Sequence, residues 1–120
     1  MIEFLFDEQK ATEAAAYLLQ RAGGRMQAIL LLKLLYLAER EALDLWNWPI
    51  CGDRYVVTEH GPVLSRVLRL IKADGRALRL TNTDGLEVEA GATWNGFIRP
   101  APLYAVELIR EPEAAQLSEA

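Results

Sequence analysis

The sequence predicts an α+β fold, mainly helical, with about three helices gathered around a central apolar helix and a small antiparallel β-sheet. Three observations carry this. The run AILLLKLLYLAEREAL from Ala28 is built of strong helix formers. Two short alternating segments flank Asn82-Thr83-Asp84-Gly85, the pattern of a β-hairpin. Glycine and proline cut the remainder into pieces too short for a large sheet. With 120 residues the chain suits one domain. Its organisation reads as a single domain over residues 1–110, with 111–120 a flexible or truncated segment.

Asp7 is placed to cap a first helix over residues 8–22, with Phe6 and Ala11 in hydrophobic-staple positions. Ala11, Ala15, Leu18 and Ala22 share one face, an alanine stripe suited to close helix packing, and Gly23-Gly24 ends the run. The second helix is expected over residues 26–45. It is apolar on nearly every side in its first half, so it should be wrapped by other elements, and it stops before Pro49. A turn at Cys51-Gly52-Asp53 and an extended piece at Tyr55–Thr58 follow. His60-Gly61-Pro62 then reads as the start of a third helix running to about Ala73, since proline is well tolerated at a first helical position. Its buried face should hold Val63, Leu64, Val67, Leu68 and Ile71, with Gly75 as its stop. Leu78–Leu80 and Leu86–Val88 form the hairpin, with Gly85 at the position needing positive φ. A third strand lies between Leu103 and Ile109, and Trp94 and Phe97 fall in a loop covering the sheet.

Composition excludes several classes. Thirteen basic and seventeen acidic side chains leave a net charge of −4, which does not steer the whole chain toward nucleic acid or anionic membrane. One cysteine, Cys51, rules out an internal disulfide. The acidic residues near the N-terminus do not make a signal peptide. The most apolar stretch, Ala28–Ala38, is 11 residues long with Lys33 inside it, too short to span a bilayer. The expected compartment is the cytoplasm.

The distinctive segment is Lys33–Val63. KLLYLAEREAL, then Trp48-Pro49-Ile50-Cys51-Gly52-Asp53-Arg54, then Glu59-His60-Gly61-Pro62-Val63, follow one another in an order that resembles the Panacea (SocA-like) antitoxin domain of bacteria and phages. ATEAAAYLLQRAGG, from Ala11, is similar to that family's first helix, and the likeness covers residues 5–73. The resemblance implies a non-enzymatic antitoxin of a bacterial or prophage toxin–antitoxin system, which neutralises a cognate toxin by direct protein–protein binding. Leu117-Ser118-Glu119 looks like the cap of a further helix of the kind family members carry, so the chain reads as a short member or a fragment.

The candidate site residues are weighed on their own chemistry. Lys33, Tyr36, Arg40 and Asp44 lie within about 80° on a helical wheel. They make a polar stripe that is either structural, with Arg40–Asp44 paired and Asp53 reaching Lys33 or Arg40, or part of a toxin-binding surface. Arg66, Arg69, Lys72, Arg76 and Arg79 against Asp74 give residues 61–80 a local net of +4. Arg66, Arg69 and Lys72, three apart, are either a solvated face or a docking site for an acidic partner or nucleic acid. No aromatic interleaves with them and no helix-turn-helix accompanies them, so nucleic acid is the weaker partner. Lys33, Tyr36, Arg40, Arg66, Arg69 and Lys72 are therefore the candidate partner-binding residues. Gly52, Asp53, His60, Gly61 and Pro62 read as structural, His60 fixing its turn by a hydrogen bond. No catalytic residue, metal or cofactor is expected: His60 lacks co-ligands, and Cys51 with His60 lacks an oxyanion hole. Two alternatives stay open. One is a proteolytic adaptor delivering a bound protein to a protease, the other a nucleic-acid-binding regulator using the basic helix at 62–76. Homo-oligomerisation is compatible with either.

Overall fold

The computed structural model describes residues 6–81 and 86–110. Among these the elements are α1 (Glu8–Arg21), β1 (Arg25–Gln27), α2 (Ala28–Trp46), β2 (Tyr55–Thr58), β3 (Gly61–Leu64), α3 (Ser65–Lys72), β4 (Leu78–Thr81), β5 (Glu87–Ala90), α4 (Ala92–Phe97), β6 (Ile98–Ala101) and β7 (Ala105–Leu108). The fold is α+β and mainly helical. The strands form three separate antiparallel sheets, β1-β7-β6, β2-β3 and β4-β5, where one small sheet was expected. The strand expected at 103–109 is β7. It pairs with β1 and β6 and leaves the β4–β5 hairpin apart. The turn at 82–85, with Gly85, and the cap proposed at Ser118 lie outside the described residues.

α1 begins as its sequence dictates. The Asp7 carboxylate accepts from the Lys10 N–H at 3.0 Å. Ala11 and Ala15 of the expected stripe are fully buried, as are Ala16 and Leu19, whereas Leu18 is half-buried and Ala22, the C-cap, is exposed. At the C-terminal end the Gly24 N–H reaches back to the Leu19 carbonyl, with Gly23 and Gly24 both at positive φ. The chain then enters a strand the sequence did not reveal. Met26 is buried opposite Val106, and α2 starts at Ala28 rather than Met26. The Ala28 N–H, one of the unpaired donors of a helix start, is taken up by the Tyr104 carbonyl at 2.9 Å.

α2 packs Leu31, Leu32, Leu35, Glu39 and Ala42 inward. It is not wrapped on all sides as its composition suggested, since Leu30 and Leu37 face solvent. It ends at Asn47, which adopts the left-handed conformation before Pro49.

The expected helix start at Pro62 is corrected. Gly61–Leu64 is strand β3, paired residue for residue with β2 so that Pro62 lies opposite Val57 and Gly61 opposite Thr58. Val63 and Leu64 are both buried in the core, where β3 packs against α2 and α3, while pairing with β2 satisfies the extended backbone. α3 starts only at Ser65. It buries Val67 and Leu70, with Leu68 and Ile71 partly covered, so Leu70 joins the face expected from the sequence. Asp74 and Gly75 follow its end in the left-handed region.

Trp94 and Phe97 lie on a short helix, α4, not in a loop, and Trp94 is buried in the core. The start of α4 is held from across the chain. The Glu8 carboxylate accepts from the Gly91 N–H at 3.1 Å and the Trp94 N–H at 2.9 Å. Gly91 itself sits at φ 109°, where a Cβ would come within 3.3 Å of the Arg76 carbonyl oxygen. The β6–β7 turn places two ordinary residues, Leu103 (φ 63°) and Tyr104 (φ 60°), in the left-handed region, which costs about 1–2 kcal/mol per residue.

Because Glu8 supplies the only side-chain acceptor seen at the start of α4 among the described residues, Glu8→Ala should lower the unfolding free energy by about 1–3 kcal/mol. Glu8→Gln, which keeps one acceptor, should lower it less. Urea denaturation of the two variants checks this, and an unchanged midpoint for Glu8→Ala would contradict the cap.

Candidate partner-binding surface

The three sequence motifs are held together by a relay of hydrogen bonds. Glu39 lies on the buried face of α2, only 3% exposed. Its Oε1 accepts from the Ile50 N–H at 2.7 Å and the Cys51 N–H at 3.1 Å, and its Oε2 from the Asp53 N–H at 3.2 Å. The Cys51 thiol also points at Oε2, 3.6 Å away. One carboxylate thus gathers the amides of the Ile50–Asp53 turn, and the Cys51 carbonyl accepts from the Asp7 N–H to tie in the start of α1.

Asp53 extends the relay. Its side chain is fully buried and accepts from the N–H groups of Arg54 (2.7 Å), Arg66 (3.0 Å) and Val67 (3.1 Å). It therefore does for α3 what a local N-cap would do, satisfying donors of the first turn from a distant loop. Burial holds this carboxyl above the usual carboxylate range, and the amides of Arg66, Val67 and Arg54 pull against that shift. Arg66 Nη1 stands 3.8 Å from it. Asp53 therefore reaches Arg66, not Lys33 or Arg40.

Lys33 makes a different tie, donating from Nζ to the His60 carbonyl oxygen in the β2–β3 turn. The same turn is braced by Thr58, whose hydroxyl accepts from the His60 N–H and donates to the Gly61 carbonyl. His60 thus serves the turn through its backbone. Its imidazole is exposed and stands 3.4 Å from Glu59. Gly52 is buried in the turn that Glu39 organises, at φ 71°.

Cys51 is not set up as a nucleophile. Burial, with Glu39 and Asp53 nearby, pushes its thiol far above the ordinary cysteine value, so it stays protonated at neutral pH. Among the described residues no group of three or more His, Cys, Asp or Glu side chains could hold a metal ion. Nor is any described helix long and apolar enough to cross a membrane.

The family model for the Antitoxin SocA-like, Panacea domain matches residues 31–120. The chain belongs to the Panacea family. The match begins inside α2, so the likeness noted in α1 lies upstream of it, while β4–β7, which carry no distinctive motif, lie within it. No curated protein and no solved structure matches the chain. Membership gives this Panacea domain a toxin–antitoxin role in general.

What the Panacea domain turns to solvent differs from the list read off its sequence. On α2, Tyr36 is half-buried. Its ring meets Tyr55 of β2 edge-on at 6.0 Å, and its hydroxyl accepts from Arg40 Nη1 at 3.0 Å. Arg40 therefore closes on Tyr36 rather than on Asp44. Its pKa is raised chiefly by that tyrosine, with Asp44 adding to the effect. Leu37 lies between Lys33 and Arg40 on the same helical face and is 59% exposed, and Tyr55, against Tyr36, and Val57 on β2 are exposed as well. The stripe is therefore mixed apolar and basic.

The α3 residues divide. Arg66 is mostly covered beside Asp53. Arg69 is exposed but donates to the Arg79 carbonyl of β4 at 3.2 Å, and Lys72 is exposed. Lys33, Tyr36 and Arg40 gather around the β2–β3 hairpin, whereas Arg69 leans on β4.

Sequence reasoning missed Glu39 and Leu37. Leu32, Leu35, Glu39 and Ala42 recur at helical spacing, so a lone acid on the most apolar face was the available signal for Glu39. Leu37 has no such signal, because it looks like every other leucine of the run.

The thiol assignment is open to direct measurement. At pH 8 the native chain should react with iodoacetamide at least about tenfold more slowly than the urea-unfolded chain. Equal rates would show that Cys51 is accessible and ionisable in the folded protein.

Proposed function

We propose that this Panacea domain neutralises a cognate toxin protein by binding it directly, with no chemical step and no cofactor. The observation that carries this reading is the exposed surface on α2 and β2, where Leu37 stands a turn from Lys33 and Arg40, Tyr55 meets Tyr36, and Val57 is exposed further along β2. Large apolar side chains rimmed by charge are the composition of a protein-docking patch. The relay through Glu39 and Asp53 supports the same reading, because it makes that surface preformed and lowers the entropy lost on binding. Arg69 and Lys72 are exposed on α3, apart from this patch, while Arg66 and Lys33 also have internal duties and are poorer choices for a clean test. On this reading the motif residues Gly52, Asp53, His60, Gly61 and Pro62 shape the surface and do not touch the partner.

The basic helix gives a nucleic-acid regulator little support, since Arg66 and Arg69 are engaged by Asp53 and the Arg79 carbonyl. Protease delivery differs from occlusion in one observable, the fate of the partner.

The test is co-expression with the product of the adjacent open reading frame. That product should be lethal alone and harmless beside the wild-type chain, and its level should stay constant on immunoblots. Leu37→Asp and Arg40→Glu should abolish protection and weaken the purified complex by at least about tenfold. Lys72→Glu should mainly slow association. A neighbour harmless by itself would remove the toxin. A partner whose level falls when the chain is present would favour delivery to a protease.

A further inference from the structure

The β6–β7 turn combines two features that the fold does not require together. Its backbone is left-handed at two consecutive residues, Leu103 and Tyr104. That conformation has a structural reason. It closes the hairpin so that Ala101 pairs with Ala105, and it aims the Tyr104 carbonyl at the N–H of Ala28 at the start of α2. Arg25 Nη2 adds a bond to the Pro102 carbonyl at 2.8 Å. The turn is pinned on both sides.

The side chains have no such reason. Two consecutive left-handed positions in a hairpin favour asparagine, aspartate or glycine. Here a leucine and a tyrosine occupy them, 77% and 91% exposed, the most exposed large apolar side chains among the described residues. Strain of this kind, with no return in packing, marks positions kept for contact with something else.

The surroundings say what that contact is like. Arg25 of β1 and Arg99 of β6 both engage Glu107 of β7, at 3.5 and 2.9 Å, so two guanidinium groups share one carboxylate in a row across the three-stranded sheet below the tip. Beside the tip opens a groove of about 230 Å³, lined by Leu70, Trp94, Pro100 and Tyr104 among others.

We propose that Leu103 and Tyr104 form a preformed anchor that inserts into an apolar socket, rimmed by carboxylates, on the toxin partner. This rests on the toxin-binding reading above and adds a second contact to it, on a different hairpin. An aromatic and a leucine on a pinned turn lose little conformational freedom on docking, which is what makes such residues binding hot spots.

The experiment separates stability from binding. Leu103→Asn/Tyr104→Gly places favoured residues at both left-handed positions, and Tyr104→Asn alone keeps Leu103 should the double variant fold poorly. The full chain and both variants are compared by thermal midpoint, by affinity for the co-expressed neighbouring toxin and by protection in cells. The anchor predicts an unchanged or higher midpoint, binding weakened at least about tenfold, and reduced protection. Folded variants that bind and protect like wild type overturn it. So does weakened binding that accompanies a change from dimer to monomer by light scattering, which would assign the tip to a second copy of this chain. If the wild-type chain itself fails to protect, the toxin-binding reading falls and the anchor with it. Protection by wild type and variants alike sinks the anchor alone.

Discussion

The structure depends on one buried carboxylate. Glu39 sits on the inner face of α2 and collects the amides of Ile50, Cys51 and Asp53, a turn that has no regular secondary structure to satisfy it. Left without that acceptor, the buried amides of the turn would each lack a partner, at a cost of about 1–3 kcal/mol apiece. Because the turn is fixed, Asp53 is carried to the start of α3 and caps it, and the Cys51 carbonyl meets the Asp7 amide at the start of α1. Three helices are thereby referred to the same loop. Glu8 does the like for α4, so long-range carboxylates stand at two helix starts where local caps are absent.

This explains what the recurring motif residues do. Lys33 braces the β2–β3 turn, Glu39 and Asp53 form the relay, and Gly61 takes the positive φ of 96° at that turn. Their chemistry points inward. Leu37, Tyr55 and Val57, by contrast, turn outward and are exposed, and on the proposed reading it is they that meet the partner.

Local physics was legible from the residues alone. Asp7 as a cap, the stop before Pro49 and the β4–β5 pairing all rest on short-range rules, and each holds, while the alanine stripe of α1 holds at Ala11 and Ala15 but not at Ala22. The start of α3 was not legible. The preference of proline for a first helical position is real, but Gly61–Leu64 pairs with β2 and buries Val63 and Leu64 in the core as a strand, and the cap comes from Asp53 on another loop. β1 and α4 were missed because each is short and stabilised by distant partners, β7 in one case and Glu8 in the other. Of the candidate surface, Arg40, Arg69 and Lys72 do lie exposed, while Arg66 does not. The apolar part went unseen because composition made α2 look wholly wrapped, and one leucine cannot be told from another without knowing what packs against it.

The relay is the central claim, and amide hydrogen exchange on the wild-type chain and on Glu39→Gln tests it most directly. Glutamine keeps the size of the side chain but leaves a single oxygen acceptor. The account predicts that protection falls together at Ile50, Cys51 and Asp53 and, through Asp53, at Arg66 and Val67, while the amides of β6 and β7 are unaffected. Loss confined to the Ile50–Asp53 turn, with α3 as protected as before, would contradict the claim that Glu39 positions the α3 cap.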